Sequence, residues 1–226
     1  MSIALGYIVK NEAAWLTRLL PDFGFAFDGV VALDSGSTDD TVGVLERYGA
    51  RVEPYQWCNN FAAARNALIT LAEGCGYDYL LMLDGDEAMW PQDVAVLKKT
   101  ALVGTVLGFP RFNFSGPRAE VWHPDLYPDT QWRLLPLRVG WGYRGAVHET
   151  LCRGKEVANL HGLTVPYHIY HYGNCKPDEF VWLKCHNYTL IAQGLPPLKE
   201  VPAHINPKDG LFPGGMKCSF HHPYHL

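Results

Sequence analysis

Tyr79-Leu80-Leu81-Met82-Leu83-Asp84-Gly85-Asp86-Glu87 is the stretch that decides the fold. Its first five residues are apolar without alternation, so neither face of a strand built from them can meet water. Such a run reads as a central strand of a parallel sheet, covered by helices on both sides. The acids and the glycine that follow end it in a polar turn. Working back toward the N-terminus, strand and helix signals alternate. Residues 3–9 read as a buried strand, and residues 12–20 as a helix with Trp15, Leu16, Leu19 and Leu20 on one side. Residues 29–33 form a second short apolar strand. Ser37-Thr38-Asp39-Asp40 then looks like a cap, with Ser37 as the capping residue, for a helix carrying Val42, Leu45 and Tyr48 and stopped at Gly49. Residues 51–55 read as an edge strand ended by Pro54, and residues 61–73 as a helix capped near Asn60. Beyond the deciding stretch, Pro91 suits the first position of another helix, which closes near Lys98-Lys99.

This order predicts an α/β fold with a mostly parallel, doubly wound sheet. After Gly104 the pattern changes to strands at 107–114, 131–137 and 142–151, joined by aromatic and glycine-rich turns. A last helix is expected over 177–193, and the tail from Leu195, rich in Pro, Gly and His, reads as loosely packed. The 226 residues suffice for one sizeable domain. With 48% apolar and 19% charged residues, disorder is excluded for most of the chain. The longest apolar run, 100–109, is about half of what a membrane span needs. A net charge of -4 speaks against a broad nucleic-acid-binding surface. Residues 1–5 lack a basic n-region, so no signal peptide is expected, and six cysteines without a CxxC pair read as reduced thiols. A cytoplasmic location, with peripheral membrane association left open, follows as the expectation.

Ligands in such sheets bind beyond the carboxyl ends of the strands. Asp84 and Asp86 stand there on either side of a glycine, where two carboxylates can reach a hard divalent cation, Mn2+ or Mg2+, and a phosphate can approach the backbone. The plain alternative is a turn that starts an acidic helix, and the triplet alone does not choose. Asp34 ends the second strand, outside the Ser37 cap, and is placed to accept hydrogen bonds from a base or ribose.

Four strings in order, Ile8-Val9-Lys10-Asn11-Glu12, Val31 through Thr41 with its Asp34-Ser35-Gly36-Ser37-Thr38-Asp39 core, Phe61-Ala62-Ala63-Ala64-Arg65-Asn66 and Leu83-Asp84-Gly85-Asp86-Glu87, resemble the family 2 glycosyltransferases of the GT-A fold. The resemblance covers roughly residues 3 to 175. Gly145-Ala146-Val147-His148-Glu149 and His171-Tyr172-Gly173 are similar to strings of the subgroup that holds lipopolysaccharide-core glucosyltransferases and peptide S-glycosyltransferases. It implies a Rossmann-like GT-A domain over 1–194, with a nucleotide-binding half at 1–103, an acceptor-side half at 104–194 and the tail at 195–226. It implies that Asp34 contacts the base or ribose of a UDP-sugar, with Val9, Lys10, Glu12 and Ser35 nearby, that Arg65 holds the nucleotide or its phosphates, and that Gly85 lies between the acids of the metal-binding pair. Asp86 would be the more direct metal ligand of that pair, Asp84 the other, and His171 a third.

Without the resemblance, His171 is one histidine among ten, and a structural role is the plainer reading. His168 and His171, three apart, would face opposite sides of a strand and so would not chelate one ion together. Glu149 is the candidate base toward the acceptor hydroxyl, with His148 and Trp132 as acceptor contacts; the plain alternative is that His148-Glu149 only orders a loop or binds the acceptor. Asp125 and Asp129, in a loop with Trp122, Tyr127 and Trp132, are the alternatives. The family's commonest Glu-Asp base pair is missing. A sugar-nucleotide nucleotidyltransferase would need a glycine-rich loop after strand one, which residues 6–11 do not provide. A nucleotide-sugar-binding module without activity is the other rival, and a zinc hydrolase lacks its HExxH.

Overall fold

The computed structural model describes residues 1–99, 104–116, 119–121 and 127–202. Trp122 and Asp125 lie outside these ranges, as does the tail from 203. Strands β1 (Ile3–Val9), β2 (Gly29–Asp34), β3 (Arg51–Pro54) and β4 (Tyr79–Asp84) alternate with helices α1 (Ala13–Phe23), α2 (Thr41–Arg47) and α3 (Phe61–Gly74). Then come β5 (Glu87–Ala88), α4 (Pro91–Lys99), β6 (Leu107–Ser115), β7 (Glu120–Val121) and β8 (Asp129–Pro136). The remainder is β9 (Gly142–Arg144), β10 (Thr150–Arg153), β11 (Glu156–Val157), α5 (Ala158–His161), β12 (Leu163–Thr164), β13 (Ile169–Asn174) and α6 (Asp178–Ala192).

The main sheet has the order β3-β2-β1-β4-β8-β6-β13-β5, with β7 and β12 also on β6. Neighbours among β3, β2, β1 and β4 are parallel, β8 runs against both β4 and β6, and β13 runs with β6. The sheet is therefore mostly parallel and passes without a break from the first half of the chain to the second. A small antiparallel sheet, β11-β10-β9, stands beside it.

The strand periodicity of two sorts the core into two layers. Leu5 and Tyr7 of β1 and Leu81 and Leu83 of β4 pack with Leu16, Leu20 and Phe23 of α1 and Leu45 of α2. Ala4, Leu80 and Met82 face the other way, toward Leu68 and Ala72 of α3. Gly6 belongs to this second face because a Cβ there would come within 2.6 Å of Leu80 Cδ1 and 3.1 Å of Leu68 Cδ2. Among the described residues, no helix is long and apolar enough to cross a membrane.

Three expectations change. Helix α1 runs through Pro21 to Phe23, because the fully buried Phe23 holds the last turn to the core despite the hydrogen bond that proline removes. Ser37 does not cap α2; its Oγ accepts the Asn11 N–H at 2.9 Å. The helix starts later, at Thr41 after the N-cap residue Asp40, whose side chain makes no capping bond; Asp39, just before it, accepts from both helix starts. Its Oδ1 accepts from the Thr41 N–H and its Oδ2 from the Ala13 N–H, both at 3.1 Å, so one carboxylate ties down the start of α1 and of α2. The stretch at 142–151 is two strands, β9 and β10, with an irregular turn between them that carries His148 and Glu149. Part of the tail is also anchored, since the Asn187 amide brackets the N–H and C=O of Leu198 at 2.7 and 3.0 Å.

Candidate active site

A cavity of about 960 Å3 opens beyond the carboxyl ends of β1 and β4. Beneath it, β4, the turn at Gly85 and β5 send three acids in three directions. Asp84 lies between two guanidinium groups, 3.6 Å from Arg65 and 3.4 Å from Arg133. Asp86 is buried; its Oδ2 pairs with Lys176 Nζ at 2.8 Å, and its Oδ1 lies 3.7 Å from His171 Nε2. Glu87, also buried, accepts the Asp84 N–H at 2.9 Å and meets Arg111 at 3.0 Å and Arg133 at 3.6 Å. Glu87 thus fixes the turn that aims the other two.

Breaking a buried ion pair from one side costs about 3–5 kcal/mol. Glu87→Gln is therefore expected to lose about that much in chemical denaturation. Glu156→Gln, which removes the half-exposed partner of Arg153, should stay within about 1 kcal/mol of the parent. Equal losses in the two variants would deny Glu87 its anchoring role.

His171 reaches Asp86 because β13 pairs with β5, opposite Glu87. His171 Nδ1 lies 2.7 Å from Asn113 Oδ1, and Asn113 Nδ2 donates to Asp129 at 3.0 Å. That network orients the amide so that its oxygen accepts from Nδ1–H, which leaves the lone pair of Nε2 pointed at the carboxylate. Burial pushes the His171 pKa down to about 3, with Arg111 adding to the effect, so the ring is neutral near pH 7. Two buried acceptors, Asp86 Oδ1 and His171 Nε2, thus face each other with no donor among the described residues. A Cβ on Gly173 would stand 2.4 Å from His171 Nε2 and 3.1 Å from Asp86 Oδ2, so glycine keeps this space clear. Two acceptors, a neutral imidazole fixed through its other nitrogen and an open approach fit a divalent cation. Asp84 does not join them. Among the described residues no three His, Cys, Asp or Glu side chains converge on one point.

Glu12 also lines the cavity, beneath Gly85 and against Lys176 Nζ at 2.6 Å. Burial, with Asp86 nearby, raises its pKa to about 7. Val9, Lys10, Asp34 and Ser35 lie outside the cavity lining. Asp34 sits across β1 from Asp84: the register pairs Val9 with Asp34 on one side and Ile8 with Asp84 on the other. Its carboxylate accepts the N–H groups of Gly36 and Ser37 at 3.2 Å, so it shapes its own loop, and the Ser35 hydroxyl donates to the Val9 carbonyl.

Helix α3 positions the opposite wall. Phe61 N–H donates to Ala146 O at 2.9 Å, and one turn later Arg65 Nε donates to Glu149 Oε1 at 2.5 Å. Asn66 brackets the N–H and C=O of Tyr143. The Gly145–Glu149 string is thereby docked on the first turns of α3, with His148 in the left-handed region at φ 53 and lining the cavity. Trp132 lines it too, and its ring is wedged where Cβ atoms on Gly108 and Gly162 would come within 2.9 and 2.3 Å. Asp129 is poorly placed as a base. It takes hydrogen bonds from Arg111, Asn113 and Gln131, which outweigh the effect of burial and hold its pKa below the usual carboxylate value. Lys176 and Lys184 also line the cavity; like Arg111 and Arg133, they were missed by sequence reasoning.

The model of Glycosyl transferase family 2 matches residues 8–162. The chain is 32% identical over 151 residues to the SPbeta prophage-derived glycosyltransferase SunS of Bacillus subtilis, covering 66% of this chain and 34% of SunS. Over 87 residues it is 37% identical to a TPR repeat-containing protein of Synechococcus elongatus, 38% of this chain and 21% of that one. The chain thus spans about a third or less of these relatives. Among solved structures, glucosyl-3-phosphoglycerate synthase from Mycobacterium tuberculosis superposes with a TM-score of 0.52 at 17% identity, over 86% of this chain and 81% of that one. TarS of S. aureus gives 0.50 at 15% identity, over 80% and 38%. At these identities the likeness bears on the fold, which is the expected GT-A arrangement.

Proposed function

The chain belongs to glycosyl transferase family 2, and on that premise we propose that it moves a sugar from a UDP-sugar to an acceptor hydroxyl, with inversion and with a divalent cation, Mn2+ or Mg2+. The observation that carries the reading is the pair of unpartnered acceptors, Asp86 Oδ1 and His171 Nε2, at the foot of the cavity. The cavity's charges support it. Asp84, Asp86, Asp129 and Glu149, with the buried Glu87 beneath them and Glu12 titrating near neutrality, balance Arg65, Arg111, Arg133, Lys176 and Lys184. A nucleoside diphosphate adds negative charge to a site that has no net positive charge of its own, so it calls for an added cation. The synthase of Mycobacterium tuberculosis was solved with Mn2+, UDP and glucosyl-3-phosphoglycerate.

Asp86 and His171 would hold the cation, which when bound supplies charge neutralisation to the departing diphosphate. Asp34, with Val9, Lys10 and Ser35, would face the nucleoside at the ends of β1 and β2. Glu149 would take the proton of the acceptor hydroxyl while Arg65 holds its other oxygen. His148 and Trp132 would contact the acceptor. The hydroxyl oxygen attacks the anomeric carbon opposite the bond to the diphosphate, which leaves with the electron pair of that bond, so the configuration inverts.

Calorimetry of UDP binding tests this reading. In Mn2+ the affinity is expected to exceed that in EDTA by at least about 10-fold, or roughly 1.4 kcal/mol. Equal affinities in the two buffers would overturn the metal-bridged site.

A further inference from the structure

Four of the five cations around the cavity are each engaged by two carboxylates. Arg65 is held by Glu149 and Asp84, Arg111 by Glu87 and Asp129, Arg133 by Asp84 and Glu87, and Lys176 by Glu12 and Asp86. Lys184 lines the same cavity and, among the described residues, has no ion pair and no hydrogen bond. We propose that Lys184 binds the diphosphate of the donor and stabilises it as it leaves.

The inference rests on the sugar-nucleotide reading above and adds a residue from the second half of the chain to the donor site. Lys184 is the only Asp, Glu, Lys or Arg between Glu179 and Lys199, on a helix whose neighbouring residues are largely apolar. A lysine stem can lie along an apolar helix face while its ammonium seeks polar surroundings. On α6 those surroundings are the cavity, into whose lining Tyr188, one turn further on, also falls. Burial works against the charge, but Tyr188, Asp86, Asp84 and Glu87 together raise the Lys184 pKa above its ordinary value. The ammonium therefore stays charged across the working pH range and acts by charge, not by giving up a proton.

In the transfer step the acceptor oxygen forms a bond to the anomeric carbon as the carbon–oxygen bond to the β-phosphate breaks. The electron pair goes to the phosphate oxygen, the acceptor proton goes to Glu149, and Lys184 keeps all its protons while it faces the new negative charge. An interaction that strengthens as charge develops lowers the barrier more than it tightens ground-state binding. A competing explanation is that Lys184 only balances the buried acids of the cavity floor.

The two explanations part on ligand choice. Calorimetry in Mn2+ with UDP and with uridine, together with kcat, is measured for Lys184→Met, Lys184→Arg and the parent. A lysine on the diphosphate predicts that Lys184→Met loses UDP affinity by about 10-fold or more and leaves uridine affinity unchanged. Its kcat should fall by roughly 10²-fold, and Lys184→Arg should recover most of both. Equal losses for UDP and uridine, or unchanged UDP binding and kcat, would overturn the proposal. Should the methionine variant fail to fold, Lys184→Gln is read by the same criteria, and failure of both to fold shows a structural lysine and overturns it too. A parent protein that binds no UDP in Mn2+ would instead remove the sugar-nucleotide premise.

Discussion

Asp86→Asn is expected to lower kcat/KM for sugar transfer by about 10³-fold and to abolish the gain in UDP affinity that Mn2+ provides. The asparagine keeps the shape of the side chain, and its amide oxygen can still accept from Lys176, which lies 2.8 Å from Asp86 Oδ2 in the parent. What disappears is the full negative charge at the oxygen facing His171 Nε2. A neutral amide is a poorer ligand for a hard cation, and a drop of roughly 4 kcal/mol in transition-state stabilisation corresponds to about 10³ in rate. Titrating the variant with Mn2+ in the presence of UDP separates this from a loss of fold, because a folded variant still melts cooperatively. Asp84→Asn offers the contrast. Its carboxylate meets Arg65 and Arg133, so its replacement should disturb the cavity wall before it disturbs the cation. If Asp86→Asn keeps its response to Mn2+ and Asp84→Asn loses it, the ligand roles are reversed.

The asymmetry between these two acids marks the limit of what the sequence makes legible. The run from Tyr79 to Leu83 declares its own burial, and the structure distributes it between two core layers as the absence of alternation requires. The acids after it are equally plain as a polar strand end. Their division of labour is not, because it depends on partners far along the chain. Arg111 and Arg133 come from β6 and β8, Lys176 from the turn before α6, and His171 from a strand too mixed in polarity to stand out. Local pattern places a carboxylate; only tertiary pairing decides whether it meets an arginine or another acceptor. Ser37 fails for a related reason. It has the right residue type for a cap, but α2 begins only at Thr41, beyond its reach, and Asp39 holds the first N–H of α1 and of α2. Lys184 did leave a signal, a lone charge over some twenty residues, which becomes informative once α6 is seen to run along the cavity.

Glu149→Gln is expected to slow transfer by about 10²–10⁴-fold while donor and Mn2+ binding stay at parental levels. Helix α3 sets this carboxylate, because its Arg65 Nε donates to Glu149 Oε1 at 2.5 Å. The guanidinium is planar and donates through fixed N–H groups, so it orients the carboxylate. Among the described residues Oε2 accepts no hydrogen bond, and the side chain lines the cavity, which leaves one oxygen to take a proton. Glutamine retains the size of the side chain and can still accept from Arg65 through its amide oxygen, but it has no basic oxygen near neutral pH. The loss should therefore fall on kcat with little change in the KM for donor, the mark of an interaction made in the transition state. A larger KM with unchanged kcat would instead assign Glu149 to binding through Arg65. A variant that transfers at the parental rate would place the base elsewhere. Asp129 would then be a weak substitute, because Arg111, Asn113 and Gln131 already occupy its oxygens. Asp125, the remaining acid of that loop, would be the residue to change next.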